Sequence, residues 1–203
     1  MSASTPAAPD RFAVLVPVKP PAFAKSRLAD LGDATRRELA TAFAVDTVSA
    51  VMASPVVDRV LVVTDDHELA RGLADLGVDV IPDGTTDDLN ETLRLAALCA
   101  DLPALRPDEL AVALAAAPHD RMAFVADADG VGTTAVVAST PETFRPRFGP
   151  ASRQQHLDAG AHEIDGVDVP TLRRDVDDRA DLAEAVALGV GSRTSLVATV
   201  HGL

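Results

Sequence analysis

Short apolar runs rich in valine alternate with longer helical segments along this chain, and this alternation limits its fold more than any other feature. Run length and composition predict buried strands at residues 12–18, 58–64, 78–81, 122–126 and 134–138. Amphipathic spacing and capping residues predict helices at residues 34–52, 68–76, 153–159 and 180–188. Strands that alternate with helices predict an α/β fold, a three-layer Rossmann-like domain with a mostly parallel sheet.

The composition fits one domain with one core. Of the 203 residues, 47% are hydrophobic and only 3% aromatic, so we expect a single core of Ala, Val and Leu within residues 11–203. Residues 1–10 are expected to be a disordered tail without the features of a signal peptide. A net charge of −13 argues against binding to nucleic acid or to an anionic membrane.

Two absences in the sequence narrow the function further. No apolar run approaches the ~20 residues that span a bilayer. Cys99 is the one cysteine, which excludes an intrachain disulfide and offers no metal cluster. A cytoplasmic location is the default expectation.

The chain's only two lysines, Lys19 and Lys25, lie with Arg27 in one short segment directly after the first predicted strand. In such sheets, ligands bind at the carboxyl ends of the strands. These cations could neutralise a triphosphate, with Arg27 bridging two oxygens and each lysine acting as a point charge. Codon bias against lysine is the alternative explanation. Neither a Walker loop nor G-x-G-x-x-G follows the strand, so ATPase and NAD-binding functions are unsupported.

Asp101, Asp175 and Asp177 are the acidic candidates for a metal site. Mg²⁺ prefers one or two carboxylates together with substrate phosphates, and aspartates from separate strand ends could supply them. The alternative has weight, because the chain has 31 Asp and Glu residues and most of these are surface charges or helix caps.

Two further segments could contact an anion. The glycines of residues 130–134 would let backbone N–H groups approach a ligand, and Thr133 offers a hydroxyl. Residues 148–152 lead into a predicted helix whose free N–H groups would bind phosphate or carboxylate. An ordinary glycine turn and a simple N-cap at Ser152 are the alternatives. The five histidines lack metal or triad spacing and are interpreted as surface or structural residues; His156 merits a test because it follows Ser152.

Taken in order, these motifs resemble one known family, the guanylyltransferases of coenzyme F-420 biosynthesis. The similarity extends roughly from residue 14 to residue 192, and many motifs in one order are more specific than any single motif. The segments that carry the resemblance are Pro17-Val18-Lys19, Ala24-Lys25-Ser26-Arg27-Leu28, Val63-Thr64-Asp65-Asp66, Leu89-Asn90, Asp101-Leu102-Pro103-Ala104-Leu105, Phe124-Val125-Ala126-Asp127, residues 130–134, Arg147-Phe148-Gly149-Pro150 and Arg173-Arg174-Asp175-Val176-Asp177.

The resemblance implies a nucleotidyltransferase fold and a specific reaction. GTP and phosphoenolpyruvate would give enolpyruvoyl-diphospho-5'-guanosine and pyrophosphate, and a downstream transferase would consume the activated product. The resemblance is also compatible with a homodimer. Because the attacking phosphate oxygen is already ionised at pH 7, no general base is needed, and cations and a metal would offset the repulsion between the two anions.

The resemblance also implies roles for individual residues. The GTP phosphates would face Lys19, Lys25 and Arg27, of which Lys25 and Arg27 would be catalytic. Asn90 would contribute to GTP binding. Phosphoenolpyruvate would be held by Thr133, Gly149 and Ser152. Mg²⁺ would bind to Asp101, Asp175 and Asp177.

One segment departs from the family pattern. The ten residues 91–100 would have to contain both a helix and a buried strand, but a mean helix of ~11 residues and a strand of ~5 do not fit. Either Asp101 is displaced or the helix is missing. Two alternatives to the leading function therefore stay open: a non-catalytic relative that binds a nucleotide or a partner, and a guanylyltransferase for 2-phospho-L-lactate, 3-phosphoglycerate or another acceptor such as a molybdopterin cofactor.

Overall fold

The structure is a computed structural model that describes residues 10–22, 24–82 and 94–203. Its strands are β1 (Phe12–Pro17), β2 (Val57–Val63), β3 (Asp79–Ile81), β4 (Arg94–Leu98), β5 (Ala123–Ala126), β6 (Thr133–Ala138) and β7 (His162–Glu163). Its α-helices are α1 (Asp33–Ala53), α2 (His67–Ala74), α3 (Pro107–Ala116), α4 (Ser152–Asp158), α5 (Pro170–Arg173), α6 (Arg179–Leu188) and α7 (Ser192–His201). A 3-10 helix, Ser26–Leu31, precedes α1.

The described strands form one sheet in the order β3-β2-β1-β4-β6-β5-β7. β1 runs parallel to β2 and β4, β2 to β3, and β5 to β7, whereas β6 is antiparallel to both β4 and β5. The predicted α/β fold with a mostly parallel sheet is confirmed. Because β6 runs the opposite way, its first residues lie at the same edge as the last residues of β1, β4 and β5. This edge carries the candidate site.

The central strands are buried because helices cover the sheet. All five residues of β4 are buried, and so are five of the six in β1. Val14 and Val16 belong to the same apolar cluster as Val48 of α1 and Leu114 of α3. Burying a Val or Leu side chain stabilises the fold by roughly 1.5–3 kcal/mol, and the buried members of this cluster other than Phe12 are all aliphatic.

Most predicted elements are confirmed to within a few residues. Asp66 caps α2 as expected, since its carboxylate accepts hydrogen bonds from the N–H groups of Glu68 and Leu69. Sequence reasoning did not predict α3, α5, α7 or β7. Residues 91–100 were too few for both a helix and a strand. Their described part contains the strand β4, so the prediction of a strand is correct there.

The predicted tail lies almost wholly outside the described residues. Its last residue, Asp10, is held in place, because its carboxylate accepts a hydrogen bond of 2.9 Å from Arg94 Nη1. No helix among the described residues is both long and apolar enough to cross a membrane.

Candidate active site

A lysine and two aspartates meet at the edge of the sheet where β1 and β4 end. Lys25 Nζ donates hydrogen bonds to Asp101 Oδ2 and, at 2.9 Å, to Asp177 Oδ1. Arg27 Nη1 lies 3.6 Å from Asp177 Oδ2 and its side chain is 71% exposed. The structure therefore brings the predicted cationic loop against two of the three predicted metal ligands.

A buried arginine on α1 shapes the loop that presents Lys25. The guanidinium of Arg36 donates to the backbone carbonyls of Pro21, Ala22 and Ala24, and to Asp33 Oδ1 at 2.8 Å. The Arg36 residue is only 6% exposed, so these acceptors replace the water that its charge has lost. The bonds fix the loop before Lys25.

Lys25 itself has φ +56° and ψ +47°, in the left-handed region, where a residue with a side chain is uncommon. This conformation directs the chain into the 3-10 helix that follows. Strain of this kind persists only where the surroundings enforce it, and it is concentrated at functional sites.

Thr47 of α1 fixes the backbone on both sides of Asp101, through its two sequence neighbours. Its hydroxyl donates to the carbonyl of Ala100 at 3.3 Å and accepts from the N–H of Leu102 at 3.0 Å. Asp101 Oδ2 is bound to Lys25, while Asp101 Oδ1 is buried without a hydrogen-bond partner among the described residues. A buried unpaired carboxylate oxygen is costly, and it marks a place where a ligand would fit.

Asp175 and Asp177 lie on either side of Val176 in a short irregular segment before α6. Val176 is fully buried, and its N–H donates to the carbonyl of Asp101 at 3.1 Å. At the start of α6, Asp181 accepts from the N–H groups of Asp177 and Asp178, and Asp178 completes a capping box. These bonds place both carboxylates opposite Asp101.

Charge and burial shift the pKa values of this cluster. Burial alone would lower the pKa of Lys25, but the charges of Asp101 and Asp177 outweigh burial and raise that pKa above its usual value. Burial, helped by the negative charges of Asp101 and Asp177, raises the pKa of Asp175 to about 7. At neutral pH the Asp175 carboxyl is therefore only partly ionised, and a bound cation would favour its ionised form.

The predicted metal ligands fit a divalent ion. Asp101, Asp175 and Asp177 each offer a carboxylate oxygen, and these oxygens lie within 4.8 Å of one another. The unpartnered Asp101 Oδ1 and the raised pKa of Asp175 both indicate that the cluster lacks positive charge. Carboxylate oxygens are the ligands of Mg²⁺. The alternative in which Asp101 is displaced is therefore wrong.

Lys19 lies at the exposed rim of the cluster. Burial acts to raise the pKa of Asp177, but Lys25, and more weakly Arg27 and Lys19, hold that pKa below its usual range. All three predicted phosphate-binding cations are thus close enough to act on one carboxylate. Asn90, the remaining predicted GTP-binding residue, lies outside the described residues.

The three residues predicted to hold the second substrate form a neighbouring group. Thr133 Oγ1 lies 3.0 Å from His156 Nδ1, one helical turn beyond Ser152, and the Ser152 N–H donates to the Gly149 carbonyl at 3.1 Å. This group adjoins the acidic cluster, because the Cys99 Sγ–H donates to the Thr133 carbonyl at 3.3 Å, two residues before Asp101.

Two sets of backbone N–H groups that could have faced a ligand are bonded within the protein. The N–H groups of Val131 and Gly132 do not point to a ligand; they donate to the carboxylate of Asp127, at 2.9 and 2.6 Å. A Cβ at Gly132 would lie 2.3 Å from Asp127 Oδ2, which explains the glycine. The first N–H groups of α4 are also used, since Ser152 donates to Gly149 and Arg153 to Val131.

Ser152 is not the N-cap of α4. The capping position is Ala151, with φ +53°, and Ser152 is the first helical residue, 1% exposed. The N-cap interpretation is therefore wrong, and a packed, buried position replaces it.

Sequence reasoning missed two residues that position the site, Arg36 and Thr47. Each is a polar residue on the buried face of an amphipathic helix, and that mismatch was the available signal. The suggestion that His156 merits a test is supported by its full burial against Thr133.

Fold and site together define a nucleotidyltransferase-like α/β protein. A nucleotidyl transferase from Methanothermobacter thermautotroptrophicus superimposes with a TM-score of 0.60 at 16% identity, over 89% of this chain and 98% of that one. A 4-diphosphocytidyl-2C-methyl-D-erythritol synthase superimposes with a TM-score of 0.53 at 12% identity, over 89% and 99%. At these identities the similarity establishes the fold.

The particular family follows from the sequence comparison. The family model described as "Guanylyl transferase CofC like" matches residues 12–197, and the chain belongs to this family. A phosphoenolpyruvate guanylyltransferase of Streptomyces scabiei is 46% identical, over 93% of this chain and 96% of its own length. One of Salinispora arenicola is 48% identical, over 92% of each chain. The resemblance read from the motifs is confirmed.

Proposed function

We propose that this protein is a guanylyltransferase that transfers GMP from GTP to phosphoenolpyruvate. The products are enolpyruvoyl-diphospho-5'-guanosine and pyrophosphate, in coenzyme F-420 biosynthesis. The observation that carries the proposal is the cluster of Lys25, Asp101, Asp175 and Asp177 at the sheet edge, in a chain of the guanylyl transferase family. The names of the relatives from Streptomyces scabiei and Salinispora arenicola support the same acceptor.

The reaction needs orientation and charge compensation more than proton transfer. A phosphate oxygen of phosphoenolpyruvate attacks the α-phosphorus of GTP and forms a new P–O–P bond. The bond from that phosphorus to the β-phosphate bridging oxygen breaks, and its electrons leave with pyrophosphate. The nucleophile is ionised at neutral pH, so the chemistry requires no general base.

The cationic side of the site is suited to the triphosphate. Lys19 and Arg27 are exposed at its rim and would bind the outer phosphates. Lys25 is the buried cation of the three. We propose that it stabilises the negative charge that develops on the α-phosphate and on the leaving group. Asp101, Asp175 and Asp177 would hold Mg²⁺, which supplies Lewis-acid polarisation of the phosphates when bound.

The acceptor would bind on the β6 side of the cluster. Thr133, Gly149 and Ser152 are contiguous there and adjoin Asp101 through Cys99. Both substrates are metabolites of the cytoplasm, and we place the reaction there. A downstream transferase would take up the activated product.

The test is an acceptor panel with purified protein, GTP and MgCl₂. Pyrophosphate release should require phosphoenolpyruvate, and the guanylated product should be identifiable by mass. Release only with 2-phospho-L-lactate or 3-phosphoglycerate would reassign the acceptor. GTP binding without release in any combination would favour a non-catalytic relative and overturn the proposal.

A further inference from the structure

His156 is a fully buried histidine whose two ring nitrogens both make hydrogen bonds. Its ring stacks on Phe124, with centroids 5.2 Å apart, and Phe148 packs against it edge-on. Nε2 lies 2.9 Å from the backbone nitrogen of Arg147, and Nδ1 lies 3.0 Å from Thr133 Oγ1. The ring is thus fixed in orientation between a backbone N–H and a hydroxyl.

These partners determine where the ring carries its proton. A backbone N–H can only donate, so Nε2 of His156 must accept from Arg147 and cannot itself bear hydrogen. Burial lowers the pKa of His156 despite an opposing hydrogen bond to the Ser152 backbone, so the ring is neutral at physiological pH. The single ring proton therefore lies on Nδ1, which donates to Thr133 Oγ1.

Thr133 is left with a hydrogen to donate. A hydroxyl has one hydrogen, and among the described residues the Thr133 hydroxyl bonds only to His156, from which it accepts. Nearby backbone donors are already used: the Val131 and Gly132 N–H groups by Asp127, and the Ser152 N–H by Gly149. The Thr133 hydroxyl is therefore a donor that is available beside the acidic cluster.

We infer that His156 is a positioning residue that fixes the Thr133 hydroxyl as a hydrogen-bond donor to an anionic oxygen of the acceptor substrate. This inference rests on the proposed function, because it assumes that a phosphorylated carboxylic acid binds beside Thr133. A phosphate or carboxylate oxygen can only accept, so a fixed donor selects it. Accepting from Nδ1–H also polarises the hydroxyl and strengthens its bond to the substrate.

The tautomer can be observed directly in the protein without substrate. In a ¹⁵N-histidine two-dimensional NMR spectrum at pH 7.5, His156 should show a protonated Nδ1 and an unprotonated Nε2. The signals are assigned by their loss in His156→Asn or, if that variant does not fold, by sequential substitution of the other four histidines. A protonated Nε2 would overturn the inference.

A matched pair of variants separates the two hydrogen bonds. Asparagine at 156 can place an N–H near the position of Nδ1, whereas glutamine can place an oxygen near the position of Nε2. We expect His156→Gln to raise the KM for phosphoenolpyruvate about 10-fold, and His156→Asn to raise it about 3-fold or less. The KM for GTP should change less than about 2-fold in both. A larger loss in Asn than in Gln would mean that His156 serves the Arg147 backbone instead.

Thr133→Val completes the test, with Thr134→Val as its control. Thr133→Val should raise the KM for phosphoenolpyruvate about 10-fold or more, and His156→Gln should then add less than about 2-fold. Thr134 is adjacent and its buried hydroxyl has no partner among the described residues, so its loss should leave both KM values unchanged. Additive effects of His156→Gln and Thr133→Val would overturn the inference while wild-type turnover stands. A wild type without phosphoenolpyruvate-dependent turnover would overturn the proposed function itself.

Discussion

The two halves of the candidate site are organised by different physical means. On the β1 side, charge organises the site: Lys25 lies between two carboxylates, and buried Arg36 holds the preceding loop through its carbonyls. On the β6 side, the hydrogen bonds that hold the Thr133 hydroxyl are neutral, with His156 between a backbone N–H and Thr133. Each half depends on one buried side chain that need not touch a substrate.

The difference suits the two proposed substrates. A triphosphate carries several negative charges, and cations and a metal lower the barrier where charge develops. The acceptor is a nucleophile, and a cation bound tightly to its attacking oxygen would reduce its reactivity. Neutral donors can orient the acceptor at a smaller cost to its reactivity. If the comparison is correct, substitutions on the β1 side alter GTP binding and turnover, and those on the β6 side alter the acceptor KM.

The largest effect is expected at Asp101. Asp101→Asn keeps the shape of the side chain but removes the negative charge of a carboxylate whose Oδ1 has no partner among the described residues. Mg²⁺-dependent turnover should therefore fall about 10³-fold or more. Pyrophosphate release measures this, and thermal unfolding checks the fold. Asp120→Asn, which alters an exposed pair with Arg121, is the control. Unchanged turnover in Asp101→Asn would remove Asp101 from the site.

The next effect separates a buried cation from an exposed one. Lys25→Ala should weaken GTP binding about 30-fold, whereas Arg27→Ala should weaken it only about 3-fold, because the Arg27 side chain is 71% exposed and screened by solvent. Calorimetric titration with a non-hydrolysable GTP analogue measures both variants. Neither substitution should unfold the chain. Normal GTP binding in both variants would refute the phosphate-loop assignment.

Arg36 and Arg37 test how the loop is held. Arg36→Lys keeps the charge but cannot span the carbonyls that the guanidinium reaches, so we expect the free energy of unfolding to fall by about 2 kcal/mol and the KM for GTP to rise about 5-fold. The neighbouring Arg37, whose exposed side chain pairs only with Asp33 among the described residues, should lose less than about 0.5 kcal/mol on the same change. Chemical denaturation and steady-state kinetics provide the measurements. Equal losses at both positions would show that Arg36 does not organise the loop.

The smallest effect is on stability and depends on pH. The folded protein raises the pKa of Asp175 to about 7, so it binds this proton more tightly than the unfolded chain does. The resulting stabilisation is fully present below about pH 4 and is lost as the pH rises through about 7. Asp175→Asn cannot lose this stabilisation, and in EDTA at pH 8 it should unfold about 2–4 °C above the wild type.

Near pH 4 the difference in unfolding temperature between Asp175→Asn and the wild type should vanish. Added Mg²⁺ should stabilise the wild type more than the variant at pH 8, because only the wild type keeps all three carboxylates. A wild type more stable than Asp175→Asn in EDTA at pH 8 would contradict the raised pKa of this carboxyl.

Much of the fold could be predicted because its signals are local. Valine-rich runs gave most strands, and the motifs pointed to Lys25 and Asp101 before any geometry was available. The reversed direction of β6 could not be predicted from its sequence, because direction depends on pairing with β4 and β5. That reversal brings Thr133 to the edge where Asp101 lies.

The positioning residues were harder to predict, for a physical reason. Arg36, Thr47 and His156 act through backbone groups or hydroxyls that are distant in sequence, and no local pattern encodes such partners. The glycine segment at 130–132 shows the converse case, in which a local pattern suggested a ligand site. Its N–H groups could have faced a ligand, but the nearby carboxylate of Asp127 accepts hydrogen bonds from two of them.

The most direct test of this account is a single-turnover experiment followed by ³¹P NMR. Enzyme in excess over GTP, with MgCl₂, should yield pyrophosphate and guanylated phosphoenolpyruvate in equal amounts when phosphoenolpyruvate is present, and neither product when it is omitted. Two results would contradict a site that binds the nucleotide on its β1 side and the acceptor on its β6 side. One is pyrophosphate formed without the acceptor, and the other is an acceptor left unmodified while GTP is consumed.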